Sequence, residues 1–476
     1  MSKRWLIMYF GLFLMLATFT IPSTIMASEI GAANAFFDVN KMSDMSDYDP
    51  ANPVIPEGDT IKVAVVASFS GPAANQGQFE FCIVQWAAHD INKRGGILVD
   101  GKKKLIQIIK ADSQSKPNPT KKICERLALE DKVHAFYGTD GSIVMKIINQ
   151  VADRYKIIAQ NALTSSDDCQ NAANFSRYAF QTFWTSDSIG RGLAYYYGQI
   201  KKKETKFYIL NQDYGFGHLI AESFKNGLSE YYPGSQIVGE DYHPLFHKDF
   251  APYLTKVKAS GAEVIFSADW SPDIVNLLKQ SRQLGLNIPI ANIYGNDANA
   301  LDGLGIEGTK GLVHIDCFDV TNPFEVPGYE KFFKAWHNQW KTWKSVPFNG
   351  GYFEYCGCAG NAAAGLMGAY WLFSVIERAQ STDPEKIIKV WEGDTYRIVN
   401  GKLWKMRPCD HKVIQDLYVS EYIPPAEQKE FFPIPPYYWY KDFCYTGPTY
   451  KVPAEKILPW MDEKLDRCQG KNRWGK

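Results

Sequence analysis

Three features of this 476-residue chain carry residue types that can do chemistry. The first is YGTDGS at 137–142, where Asp140 precedes Gly141 and Ser142 at the start of a helical pattern. Free main-chain amides and a hydroxyl at such a start can take an anion such as a carboxylate, and the same geometry also serves an ordinary helix cap. The second is a pair of tryptophans in polar surroundings, Trp184 and Trp270. Either ring can stack on a planar ligand or simply pack between elements. The third is MRPCDH at 406–411, which sets Asp410 beside His411. An Asp-His pair suggests catalysis, but no nucleophile elbow or oxyanion motif accompanies it, which favours a structural role at a lobe edge. Cys356-Gly357-Cys358 is too short for a zinc knuckle and has no second pair at ligand spacing. The chain also lacks paired-histidine zinc spacing and a phosphate loop, so neither metal, cofactor nor catalytic residue is expected.

The elements that must position these residues form two series. Strand-like runs at 61–69, 105–111, 133–138 and 157–161 alternate with helical patterns at 77–93, 119–130 and 142–155. A second series of strands at 207–211, 237–242, 264–268 and 288–293 alternates with helices at 217–231, 249–260 and 272–284. The near-continuous apolar run IKVAVVASF fits a strand buried on both faces of a parallel sheet. Regular strand–helix alternation calls for parallel strands with right-handed crossovers. The fold class expected is therefore α/β: two doubly wound parallel-sheet lobes joined by a hinge that the chain crosses more than once. The boundaries read as 60–182 plus 317–400 for lobe 1 and 183–316 plus 401–420 for lobe 2. Residues 28–59 read as a mobile leader, and 421–476 as a Pro- and aromatic-rich tail extended over the surface. In such sheets ligands sit beyond the carboxyl ends of the strands, here in the cleft between lobes.

Composition narrows the role. Lys and Arg equal Asp and Glu at 52 each, so no overall field favours nucleic acid. Lys3 and Arg4 precede an apolar run from Trp5 to Ile21 and then small residues, the pattern of a signal peptide at 1–27. Cleavage is expected after Ala27, with Ala35 as the second choice. The uncharged stretch from Cys356 to Ile376 is rich in Gly and Ala and reads as a buried helix. Nine cysteines leave at least one unpaired in an oxidising compartment; Cys124, Cys169, Cys317, Cys409, Cys444 and Cys468 are the candidates for bridges.

The opening IKVAVVASFSGPAANQGQ and DINKRGG at 90–96 resemble the branched-chain amino-acid (Leu/Ile/Val)-binding family of type I periplasmic solute-binding proteins of ABC importers. YGTDGS, NQDYGFG at 211–217, QSRQLGLNIPI and STDPEK at 381–386 follow in the family's order, so the resemblance covers 61 to about 417. It implies an exported, periplasmic and non-enzymatic monomer whose lobes close on a small polar solute, with permease subunits as membrane partners. A sensor subunit presenting the closed form to a receptor is the alternative; an exported hydrolase is a more remote one. Among site residues, the loop at Ser70 faces the cleft, Ser142 matches the helix-start serine that holds a carboxylate, and Asn161, Ala162 and Thr164 occupy the adjoining stretch. Tyr214 matches a tyrosine that closes down from the second lobe. Asp297, or Asn296 if the register shifts by one, falls where an acid holds the ligand's ammonium. Gln76 replaces an aromatic contact, and Trp270 takes a tyrosine-type position, so the pocket is expected to be more polar or more planar than one for leucine. MRPCDH resembles a segment of a divergent branch, some of whose members are associated with other ligands.

Overall fold

The computed structural model describes residues 33–138, 141–270, 272–295, 301, 303–317, 328, 331–332, 334–336, 360–428 and 444–476. The proposed export segment, Asp140, Asn296, Asp297, the Cys356/Cys358 pair and the aromatic stretch 429–443 lie outside them.

The first lobe is built on a parallel five-stranded sheet. β1 (Ala35–Phe36) belongs elsewhere; β2 (Ile61–Ala67) starts the lobe, with every residue but Lys62 buried. α1 (Ala74–Lys93) follows, then the small hairpin β3 (Ile97–Val99) and β4 (Lys102–Lys104). β5 (Ile106–Asp112), α2 (Pro117–Arg126), β6 (Ala135–Gly138), α3 (Ser142–Tyr155), β7 (Ile158–Asn161) and β8 (Ala179–Gln181) complete the run. The order across the sheet is β5-β2-β6-β7-β8, all parallel. From β2 the chain first winds outward to β5 and then returns past β2 to β6. The switch point therefore lies between the carboxyl ends of β2 and β6.

The motif DINKRGG is joinery rather than ligand chemistry. Asn92 bonds both main-chain groups of Ile106, at 2.8 and 2.7 Å. Asp90 accepts from Ser43 N at 2.7 Å, Arg94 Nη2 at 2.9 Å and Tyr370 OH at 2.9 Å. Gly96 turns at φ +81°, and a Cβ there would stand 2.0 Å from the Lys104 carbonyl oxygen, a position only glycine can fill.

The second lobe repeats the plan. α4 (Ser186–Tyr195), β9 (Lys206–Gln212), α5 (Gly215–Tyr231), β10 (Gln236–His243), α6 (Ala251–Ser260), β11 (Val264–Ser267), α7 (Asp273–Gln283), β12 (Ile290–Asn292) and β13 (Leu312–Asp316) follow in turn. The sheet order is β10-β9-β11-β12-β13-β17-β18, with a switch point between β9 and β11. β17 (Leu417–Ile423) runs antiparallel to β13, and β18 (Tyr445–Val452) runs antiparallel to β17.

After the two series, α8 (Gly360–Ala379) returns to pack against α1 of the first lobe, and α9 (Pro384–Trp391) follows it. β14 (Thr395–Arg397), β15 (Leu403–Met406) and β16 (Val413–Ile414) form a separate sheet with β1. No helix among the described residues is long and apolar enough to cross a membrane.

Three boundaries differ from the sequence reading. The leader is packed from Asn34 onward: Val39, Met42, Met45 and Tyr48 are buried, β1 pairs with β14, and Tyr48 OH donates to Cys82 O at 3.0 Å. Residues 401–416 build the small sheet, which touches β8 through a Gln181–Lys412 bridge, instead of joining lobe 2. The tail does not merely drape, because β18 extends the lobe 2 sheet and a Cys409–Cys468 disulfide holds the last turns. Cys82, Cys124, Cys169, Cys317 and Cys444 are buried free thiols.

Candidate functional site

The two switch points face each other across a narrow cavity of about 50 Å³. Lobe 1 contributes α1 through Gln76 and Glu80, which stand one helical turn apart on the same face. α1 reaches this place because Gly77 lies against the loop after β2: a Cβ there would meet Ser68 O at 1.9 Å. Gly141 and Ser142 contribute the start of α3. Gly141 is the N-cap, in extended conformation, and as a glycine it makes no side-chain cap bond of its own. Ser142 is the first helical residue, so it does not cap the helix in the ordinary way, and it is only 7% exposed.

Leu163, Thr164 and Ser165 line the cavity from the loop after β7. Asn161 shapes that loop from below, with Nδ2 donating to Thr164 O at 3.0 Å and Oδ1 accepting from Thr164 N at 3.0 Å. Ala162 is fully buried and donates its amide to Gly138 O at 2.8 Å. Neither residue lines the cavity.

Lobe 2 contributes rings. Tyr214 and Phe216 stand at the start of α5, Trp270 beyond β11 and Tyr294 beyond β12. Trp270 Nε1 donates to Tyr214 OH at 3.2 Å, and the Tyr294 and Ser165 hydroxyls meet across the lobes at 3.1 Å. Burial pushes the Tyr214 phenol well above its ordinary range and that of Tyr294 up to about 12, so both stay neutral donors at physiological pH. The loops beneath are tied together. Asn211 accepts from Ala268 N at 2.8 Å and donates to Gly217 O at 2.9 Å, while Asn292 donates to Ser267 O and Asp269 O at 2.8 and 2.9 Å. Directly before Trp270, fully buried Asp269 meets fully buried His243 at 2.8 Å.

Of the residues picked from sequence, Gln76, Ser142, Thr164, Tyr214 and Trp270 thus share one cavity. Ser70 does not join them; it is exposed and its hydroxyl donates to Asp112 at 2.8 Å. Trp184 is buried and stacks on Phe183 at 3.9 Å, away from the cavity lining. Asp140 and Asp297 lie outside the described residues. Glu80, Leu163, Ser165, Phe216 and Tyr294 were missed. Applying the carboxyl-end rule to β7 and β12 as well as to the first strands would have found Ser165 and Tyr294, and the helical period from Gln76 points to Glu80.

The Asp410/His411 pair sits in the joint to the tail, not in the cleft. His411 lies flat on Phe180 at 4.0 Å, with its ring nitrogens against Ala179 O and Glu392, each at 2.9 Å. Asp410 is held by Arg407 through bonds of 2.7 and 2.6 Å.

A family model described as periplasmic binding protein matches residues 60–427. A Leu/Ile/Val/Thr-binding protein of Salmonella typhimurium is 25% identical over 350 residues, covering 72% of this chain and 87% of that protein. The Leu/Ile/Val-binding protein of Escherichia coli K12 is 24% identical over 254 residues, 51% of this chain and 66% of its own length. A solved periplasmic binding protein from Burkholderia mallei shares the fold with a TM-score of 0.68 at 20% identity, covering 86% of this chain and 99% of that one. A solute binding protein of an ABC transporter from Rhodopseudomonas palustris BisB5, in complex with 3,4-dihydroxy benzoic acid, gives 0.67 at 20% identity, covering 83% and 98%. With two doubly wound lobes meeting at their switch points and a family match over most of its length, the chain belongs to the periplasmic binding proteins, as a type I member of the branched-chain amino-acid-binding family.

Proposed function

We propose that this protein is the substrate-binding component of an ABC importer, which takes a small polar solute into the cleft and presents the closed form to permease subunits. It acts after export to the periplasm and needs no covalent step. The observation that carries this reading is the single cavity lined by the carboxyl ends of both sheets, with helix-start donors on one lobe and aromatic rings on the other.

The start of α3, whose N-cap is Gly141, supplies main-chain amides and the Ser142 hydroxyl for a carboxylate. Tyr214, Phe216, Trp270 and Tyr294 offer a mixed apolar and hydroxyl surface that suits an amino acid, an amide or an aromatic acid. The named ligands of the relatives, Leu, Ile, Val and Thr in one and 3,4-dihydroxy benzoic acid in another, fall within that range. Micromolar capture requires only ~8 kcal/mol net, within reach of charge-assisted bonds and ring contacts in a desolvated cleft.

Ser142→Ala should weaken binding of the solute that co-purifies with the protein by about tenfold or more, since a hydrogen bond to a charged group contributes roughly 1.5–3 kcal/mol. Mass spectrometry identifies the solute and titration calorimetry gives the affinity. Unchanged affinity would remove the α3 start from the carboxylate site.

A further inference from the structure

We infer that His243, which does not itself line the cavity, is a positioning residue for the bound solute: through Asp269 it fixes the Trp270 ring in the lobe 2 wall. This deepens the cleft-binding reading above and rests on it.

The pair must hold two protons to stay joined. His243 ends β10 and Asp269 follows β11, and both side chains are wholly buried. His243 Nδ1 faces Pro244 O at 2.9 Å. A carbonyl oxygen only accepts, so Nδ1 carries a proton. Nε2 faces Asp269 Oδ2 at 2.8 Å, and a bond forms there only with a second proton between them. Without that proton a ring lone pair meets a buried carboxylate oxygen, and the carboxylate loses its charge-assisted partner. Burial works against a charged imidazole, but the bond to Asp269 and its charge outweigh burial and hold His243 above its ordinary range. The contact is therefore complete on the acid side and is lost as pH rises through that raised value. The other titratable groups around the ring, among the described residues, are Asp273 at the start of α7, His247 in the loop after β10 and Tyr253 of α6.

The tie reaches the cavity through its neighbours. Asp269 directly precedes Trp270, whose Nε1 donates to Tyr214 OH at 3.2 Å and whose ring meets Phe246 edge-on at 5.4 Å. Phe246 stands three residues after His243 at φ +62°, a left-handed conformation that a bulky side chain keeps only where its surroundings impose it. Asp273 imposes it here, accepting from Phe246 N at 2.9 Å and from Gln212 Nε2 at 2.7 Å. Trp270 is thus gripped between Tyr214 and the loop after β10, and the His243–Asp269 bond holds that loop to the end of β11. When the bond is lost, the strained loop relaxes and the ring shifts with it.

Two measurements on the purified protein test this between about pH 5.5 and about pH 8.5, a window that spans the ordinary histidine range. The indole N–H resonances of the solute-free protein are followed by NMR, with Trp270 assigned by its loss in Trp270→Phe. Leucine and benzoate are titrated by calorimetry at the same points. In wild type the Trp270 resonance should shift as pH rises, and affinity for the probe that binds should fall about tenfold along the same curve. In Asp269→Asn the amide donates to Nε2 with no proton to lose, so both responses should vanish. Circular dichroism checks that the variant is folded; if it is not, the wild-type curves decide. A Trp270 resonance that ignores pH in wild type, or a shift that persists in folded Asp269→Asn, overturns the tie. A resonance that moves while affinity stays flat overturns its role in binding. Each of these results leaves the cleft reading standing, whereas saturable binding of neither probe overturns that reading and the proposal with it.

Discussion

Replacing Arg407 with leucine should cost about 3–5 kcal/mol of stability, the usual result of stranding one member of a buried ion pair. Arg407 is fully buried and uses all five of its N–H donors. Nε and Nη2 grip Asp410 at 2.7 and 2.6 Å; the others reach Pro459 O at 2.8 Å, Arg473 O at 2.6 Å and Trp460 O at 2.9 Å. One guanidinium thus ties MRPCDH to the last residues of the chain, across the same join as the Cys409–Cys468 disulfide. Lys412, also fully buried, adds contacts to Asp167 at 3.0 Å and Trp460 O at 2.9 Å. Urea unfolding of the single variant and of Arg407→Leu with Asp410→Leu separates the terms. The double variant should recover part of the loss, because the uncompensated charge is gone. A single variant within about 0.5 kcal/mol of wild type would mean that the tail is not anchored here.

Gly217→Ala should weaken solute binding by roughly tenfold or more, or ~1.4 kcal/mol, with Gly215→Ala as its control. A Cβ at Gly217 would stand 2.0 Å from the Gln212 carbonyl oxygen, backbone against backbone. The start of α5 must then move away from the end of β9, carrying Tyr214 and Phe216 out of place; forced insertions of this kind typically cost 1–3 kcal/mol. At Gly215 the nearest heavy atom to an added Cβ is Asp168 Oδ2 at 4.0 Å, so alanine fits. Calorimetry with the co-purified solute distinguishes the two. Equal affinities would show that ring placement by α5 does not govern the site.

The lobes were legible because buried parallel strands announce themselves: IKVAVVA has six buried residues in seven. Glycines gave the cleft, since Gly217 of NQDYGFG and Gly77 beside Gln76 need a missing Cβ where helix and sheet touch. The site was only half legible. Glu80 sits in the run FEFCIVQW, where a lone acid on the buried face of a helix is the one mark it carries in one dimension. Tyr294 and Ser165 follow strands whose ends look unremarkable in one dimension. Trp184 shows the opposite error, for a large ring near a crossing is as readily packed, here on Phe183, as presented to a ligand. The tail hid its strand because Gly447 and Pro448 interrupt the pattern of Tyr445–Val452. Proline is tolerated there because β18 is the edge of its sheet. The leader hid its packing because Val39, Met42, Met45 and Tyr48 bury as single residues, with no strand or helix of useful length to mark them.

Small-angle X-ray scattering of the purified protein, first stripped of solute and then saturated with the solute that co-purifies, tests capture by closure most directly. The account predicts a smaller radius of gyration on saturation, with the change following the calorimetric isotherm for one solute per chain. A radius unchanged between the stripped and the saturated protein, with full occupancy shown by calorimetry, would contradict it.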